Sequence, residues 1–125
     1  MNKVLINIIF LIFFLISKPT FAQQFPPYHI KLLRLAEILG SLHYLRNLCS
    51  HPTNQWHDHM VALIEAEKPT PQRRAHLYET FNAAYRAFSA NYHRCTDSAI
   101  EADQRYVKEG NALSTSLLNH FNNEN

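Results

Sequence analysis

The sequence predicts an all-α fold, an up-down-up-down four-helix bundle stapled by one disulfide, and three observations carry that prediction. Beyond residue 22 the chain holds 12 Leu and 11 Ala against 2 Val and 4 Ile, a balance that favours helix over strand. Apolar residues recur at helical spacing in four segments, each parted from the next by a short break rich in proline or hydroxyl residues. The two cysteines, Cys49 and Cys95, close the first and third of those segments. A chain of 125 residues has room for one small domain, which excludes a multidomain enzyme.

The first element is a targeting segment. Lys3 supplies a positive start, Val4 to Ile16 an apolar run, and Thr20-Phe21-Ala22 a small-residue site, the pattern of a secretory signal peptide cut after Ala22. Thirteen helical residues rise only about 20 Å, short of the roughly 30 Å hydrocarbon core, so no stable membrane anchor is expected once the segment is removed. Residues 1–22 are therefore assigned to the signal, 23–121 to the helical domain and 122–125 to a frayed tail. Cleavage takes Lys3 and Lys18 away and leaves 10 basic against 10 acidic residues. A neutral mature chain has no electrostatic basis for binding nucleic acid. A periplasmic location follows, and in that oxidising compartment an even pair of cysteines reads as a disulfide, Cys49 with Cys95.

The first helix is expected after Pro26-Pro27 and up to about Cys49, with Tyr28, Leu32, Leu35, Leu39 and Leu42 along one face. His51-Pro52-Thr53-Asn54 breaks it. The second runs from about Gln55 to Glu67, with Asn54 as candidate N-cap and Trp56, Met60, Leu63 and Ile64 on one face. Pro69 ends it, and Thr70-Pro71 opens the third in the favoured order of capping hydroxyl and then proline at the first helical position. Leu77, Phe81, Ala84, Tyr85, Phe88, Tyr92 and Cys95 form its apolar stripe, with Glu79, Asn82, Arg86 and His93 opposite. The fourth restarts at Thr96 or Ser98, where Ser98 and Glu101 have capping-box spacing, and continues through Ile100, Val107, Leu117 and Leu118. Short connections make neighbours antiparallel, which brings Cys49 and Cys95 to the same end.

Two charges do not fit their faces at 100° per residue. Arg46 falls within the leucine arc of the first helix, with His43 about 60° from it, and Asp103 falls between Ile100, Val107 and Leu117 of the fourth. Their heights in the expected bundle differ by roughly 5 Å, so a partly buried Arg46–Asp103 pair is expected beneath the disulfide, with His43, Tyr92 and Tyr106 near enough to join it. Such a cluster either fixes helix register or lines a polar pocket in which arginine holds a carboxylate ligand.

The eight histidines invite a metal reading, and His51, His57 and His59 cluster near the start of the second helix with Asp58 among them. Residues 57 and 59 are 200° apart on a helix, however, and no H-E-x-x-H or C-x-x-C occurs. Surface histidines are the simpler reading, and no cofactor is expected. Catalytic signatures are equally absent: no G-x-S-x-G, no Walker loop, no dinucleotide fingerprint. Glu65 and Glu67 lie on different faces and read as solvated charges, and Arg73-Arg74 read as exposed cations poorly placed for the helix dipole.

The runs LLRLAEILGSLHYLRNLC (32–49), AEKPTPQRRAHL (66–77), FNAAYRAF (81–88), YHRCT (92–96) and RYVKEG (105–110) resemble an uncharacterised family of short exported alphaproteobacterial proteins. The resemblance spans nearly all of the mature chain. It implies an envelope location and supports the Cys49–Cys95 pairing, and it implies no activity or catalytic residue. The expected role is accordingly non-catalytic, an interaction or structural component of the cell envelope with an envelope protein as partner. The alternatives are a periplasmic metal-binding protein using its histidines, or a small-ligand or enzymatic site around His43, Arg46 and Asp103.

Overall fold

The computed structural model describes residues 2–3 and 25–123. Apart from residues 2–3, the expected signal segment lies outside the described residues, as do the last two residues of the expected tail. Four helices make up the domain: α1 (His29–Cys49), α2 (Gln55–Glu67), α3 (Pro71–Asn91) and α4 (Asp97–Asn123). No strand occurs among the described residues.

The helix ends show which side chains set the boundaries. The Thr70 hydroxyl accepts the backbone N–H of Arg73 at 3.4 Å, with Pro71 in the first turn, so α3 starts as the sequence implies. Asn54 occupies the N-cap of α2 but makes no side-chain cap bond. Thr53 serves instead: its hydroxyl accepts the Gln55 N–H at 3.1 Å while its own N–H donates to Asn47 Oδ1 at 2.7 Å. At α4 the cap is Thr96, whose hydroxyl accepts the Ala99 N–H at 3.2 Å, so the Ser98–Glu101 box is not what starts that helix. The α4 helix also runs on to Asn123, through residues expected to fray. Lys68 closes α2 in the left-handed region, φ 46°, just before Pro69 forbids continuation.

The largest departure from expectation concerns α1. A one-sided apolar face predicts a helix with one wet side, yet Ile38, Leu39, Gly40, Ser41 and Leu42 are buried consecutively, which covers every direction around the axis. The reason is that α1 packs against α2, α3 and α4, and every extensive helix–helix contact among the described residues involves it. A helix buried in every direction at its middle is a central helix.

The pairings around α1 set the register. Along α3 they ascend together: His29 meets Arg73, His43 meets Phe81, Tyr44 meets Tyr85, and Cys49 bonds to Cys95 just beyond the helix. Along α4 they run in opposite order, with Lys31 on Ser116, Arg34 on Glu109 and Arg46 on Asp103. Close approach is bought by two glycines, because Gly40 lies directly on the main chain of Phe81 and Gly110 lies against Ile38.

Two apolar clusters result. Leu32, Ala36, Leu39, Met60, Ile64, Leu77, Phe81 and Leu117 form the larger, joined by Trp56, Leu63 and Phe121 at its margin. Leu45, Ala99 and Ala102 form the smaller, beneath the disulfide, covered by Phe88, Tyr92 and Tyr106. Ile100, expected on the apolar face of α4, is 42% exposed instead.

Candidate functional site

The Cys49–Cys95 disulfide joins the end of α1 to the α3–α4 turn, with a Cα–Cα distance of 5.0 Å. One turn below it, Arg46 Nε lies 2.6 Å from Asp103 Oδ1, so the structure brings together the two charges that were out of place on their faces. The facing atoms are sealed from solvent although the rest of the arginine is partly exposed. Its guanidinium also sits 5.8 Å from the centre of the Trp56 ring, so one side chain on α1 ties α2 to α4.

Tyr92 and Tyr106 stay beneath the disulfide but find other partners than the ion pair, and His43 leaves that side altogether. Tyr106 packs edge-on against Phe88 and lies under the Arg34 and Arg105 guanidinium groups. Tyr92 stacks on Phe88, and its carbonyl accepts the Tyr44 hydroxyl. His43 turns to the other side of α1, towards His57, Phe81 and Tyr85, because α1 is walled on all sides and a 60° offset selects a different neighbour. Its Nδ1 is buried without a hydrogen-bond partner, and burial, reinforced by His57, holds its imidazole below the ordinary histidine range.

The histidines near the start of α2 do not converge. His57 pairs loosely with Asp58 at 3.8 Å, and His59 packs edge-on against Trp56. Among the described residues no group of three or more His, Cys, Asp or Glu side chains is arranged to hold a metal ion.

A second polar cluster lies at the far end of α1 and joins three helices. Arg73, expected to be exposed, is 8% exposed. Its Nη2 reaches Glu67 Oε1 at 2.6 Å, and its Nε donates to His29 Nδ1 at 3.2 Å. Glu67, expected to be a solvated charge, has a side chain only 9% exposed, while Glu65 two residues away is exposed. Arginine so placed turns inward because it precedes Leu77 by one helical turn and shares the stripe that Leu77 and Phe81 continue. On the opposite edge of α1, Arg34 makes a two-point contact with Glu109 at 2.6 and 2.8 Å and also reaches Glu37. The arginine beside it holds the Glu109 carboxyl below its usual range.

Because α2 and α4 both pack on α1 without an extensive contact between them, a groove opens where they diverge. It encloses about 460 Å³ and is walled by Leu32, Leu35, Leu63, Leu117, Leu118 and Phe121, with Glu67 and Ser114 as its polar atoms. That size and lining are those of a binding site for an apolar group. Leu118 stands on its lip, 62% exposed. A larger hollow of about 800 Å³ beside the α3–α4 turn is shallower and lined by exposed polar residues such as His93, Arg94 and Ser98, which makes it surface relief around the turn.

No helix among the described residues is long and apolar enough to cross a membrane. Neither a curated protein nor a solved structure matches the chain. A family described as proteins of unknown function, DUF2385, matches over residues 27–121, a span that takes in both cysteines, both buried polar clusters and nearly the whole of all four helices, and the chain belongs to that family.

Proposed function

We propose that this chain is a small exported, non-catalytic helical protein of the cell envelope, and that it receives an apolar segment of an envelope partner in the groove between α2 and α4. The groove is the observation that carries the reading: an apolar channel with an exposed leucine on its lip, in a domain whose buried and half-buried arginines are each held by a carboxylate. Monomeric domains do not leave leucines and a phenylalanine lining an open channel without cost, and a helix laid into a groove is a common way of covering them. Export is supported by the Lys3, Val4–Ile16 and Thr20-Phe21-Ala22 pattern and by a disulfide that joins the only two cysteines. The order of contacts along α1 supports an up-down-up-down path for the helices.

The two alternatives draw less support. A metal site through His51, His57 and His59 needs three donors at one point, and His57 and His59 are engaged with Asp58 and Trp56. A ligand site at His43, Arg46 and Asp103 needs a free cation, whereas Arg46 is held by Asp103 and Trp56 and His43 faces away from both.

A photoreactive side chain in place of Leu118, compared with one in place of the exposed Glu79 on α3, tests the reading in the living cell. One discrete adduct with an envelope protein from position 118 and none from 79 is the expected result. Adducts from neither position, or equally from both, contradict it.

A further inference from the structure

We propose that His29, Arg73 and Glu67 form an acid-sensitive lock that fastens α2 to α1 and α3 and gives way when the imidazole of His29 takes up a proton. The lock stands on contacts that are independent of the groove, and only its effect on groove binding rests on the function proposed above.

The geometry leaves His29 one useful protonation state. Its Nδ1 accepts from Arg73 Nε, which requires a lone pair on Nδ1 and places the ring proton on Nε2. Nε2 is buried without a partner, so no acceptor stands ready to welcome a second charge. His29 is 2% exposed, and Phe25 stacks on its ring at 4.6 Å. A proton on Nδ1 removes the acceptor and sets imidazolium against guanidinium in a site with almost no water to screen them.

Among the described residues, the charged and titratable groups around the ring come from every neighbouring helix, and on balance they sharpen this. From α3 come Arg73 and His76, whose ring lies 5.8 Å away. From α2 comes Glu67, the one negative charge at the site among the described residues, already committed to Arg73 at 2.6 Å. Beside α1 is Tyr28, whose hydroxyl burial and the Glu67 carboxylate together hold in its neutral form, and against Tyr28 lies His120 of α4. Burial first, and then the charges of Arg73 and His76, hold the His29 imidazole below its ordinary range against the weaker opposing pull of Glu67. The sign follows: the neutral ring is the folded form's partner, so the stability it lends is complete above the unfolded value of about 6.5 and is lost as pH falls through the lower folded value.

The consequence falls on α2. That helix has its extensive packing with α1 alone, and the Glu67–Arg73 pair is the polar tie between its last turn and α3. Once Arg73 is pushed away from His29, that tie loses its geometry, and Leu63, Ala66 and Glu67 carry one wall of the groove with them. A periplasmic protein meets whatever pH the surroundings impose, so such a lock would couple groove binding to external acid.

The test compares the mature, disulfide-bonded chain with its His29→Asn variant, in which Asn Oδ1 can still accept from Arg73 but cannot titrate. Thermal unfolding between roughly pH 7.5 and pH 5 should cost the wild type at least about 5 °C more than the variant. His43 also loses stability in acid, and a His43→Asn control assigns its share. Fluorescence of Trp56, the only tryptophan, should change on acidification in the wild type and much less in His29→Asn. If the variant is too unstable to fold, the wild-type His29 ring followed by NMR must titrate below about 6.5. Equal acid loss in the two proteins, or a His29 ring that titrates at or above that value, overturns the lock. Loss of the Leu118 crosslink at neutral pH as well as in acid would instead count against the groove's role while leaving these outcomes decisive for the lock.

Discussion

Gly40 of α1 rests directly on the main chain of Phe81 in α3: a Cβ at position 40 would collide with the Phe81 carbonyl oxygen and stand 2.9 Å from its carbonyl carbon. This contact sets how close the two longest-packed partners lie, and neither side of it is a flexible side chain that could step aside. Glycine inside a helix ordinarily costs about 1 kcal/mol relative to alanine, so replacing it should help unless the space is taken. Here Gly40→Ala should destabilise by about 2 kcal/mol or more. Denaturant unfolding measures it, and a stabilised variant would mean the helices do not approach as described.

Lys68 presents the opposite case. It closes α2 at φ 46°, a conformation that glycine reaches without steric cost, and its side chain is exposed. Lys68→Gly should therefore leave the fold unchanged and raise stability by up to about 1 kcal/mol. Loss of stability would place the strain elsewhere in the Glu67–Lys68–Pro69 connection.

The Arg46–Asp103 pair should show measurable coupling because its facing atoms are sealed from solvent, but the value is reduced by the arginine's 38% exposure. A double-mutant cycle with Arg46→Met and Asp103→Asn should give about 1 kcal/mol of interaction energy. Arg46→Met alone should cost more than Asp103→Asn alone, since it leaves a carboxylate unpaired in the less exposed position, whereas in Asp103→Asn the asparagine oxygen still accepts from the Arg46 N–H. A coupling indistinguishable from zero would reduce the pair to a contact without energetic weight.

Reduction of the disulfide should matter more than either. Cys49 and Cys95 are 46 residues apart, and loop-closure entropy for that separation is about 4 kcal/mol, a large part of the stability of a domain this small. The paired Cys49→Ser, Cys95→Ser variant should unfold at a markedly lower temperature than the oxidised chain. Matching unfolding curves would show that the helices hold together without the staple.

Much of this was legible from the residues, for identifiable reasons. The end of α2 and the start of α3 follow from Pro69, Thr70 and Pro71, which act locally and need no tertiary context. The Arg46–Asp103 pair was legible because each charge interrupts an apolar arc and the shared cysteine end sets their relative height. Three things escaped for physical reasons. The burial of α1 on all sides depends on three helices choosing the same partner, which periodicity within one segment does not reveal. His43 consequently found α2 and α3 in place of the Arg46 cluster. The His29–Arg73–Glu67 cluster draws one residue from each of three helices, although a signal existed: Arg73 lies one turn before Leu77 on the buried stripe, and His29 one turn before Leu32.

The disulfide, the envelope role and the exposure of the groove to an outside partner all presuppose export, so the state of the chain recovered from cells is the measurement that bears most directly on the account. Intact mass and thiol content should be determined for the protein from the envelope fraction. A chain that begins at Gln23 with both cysteines oxidised is the predicted result. A full-length chain with free thiols, recovered from the cytoplasmic fraction, would contradict it.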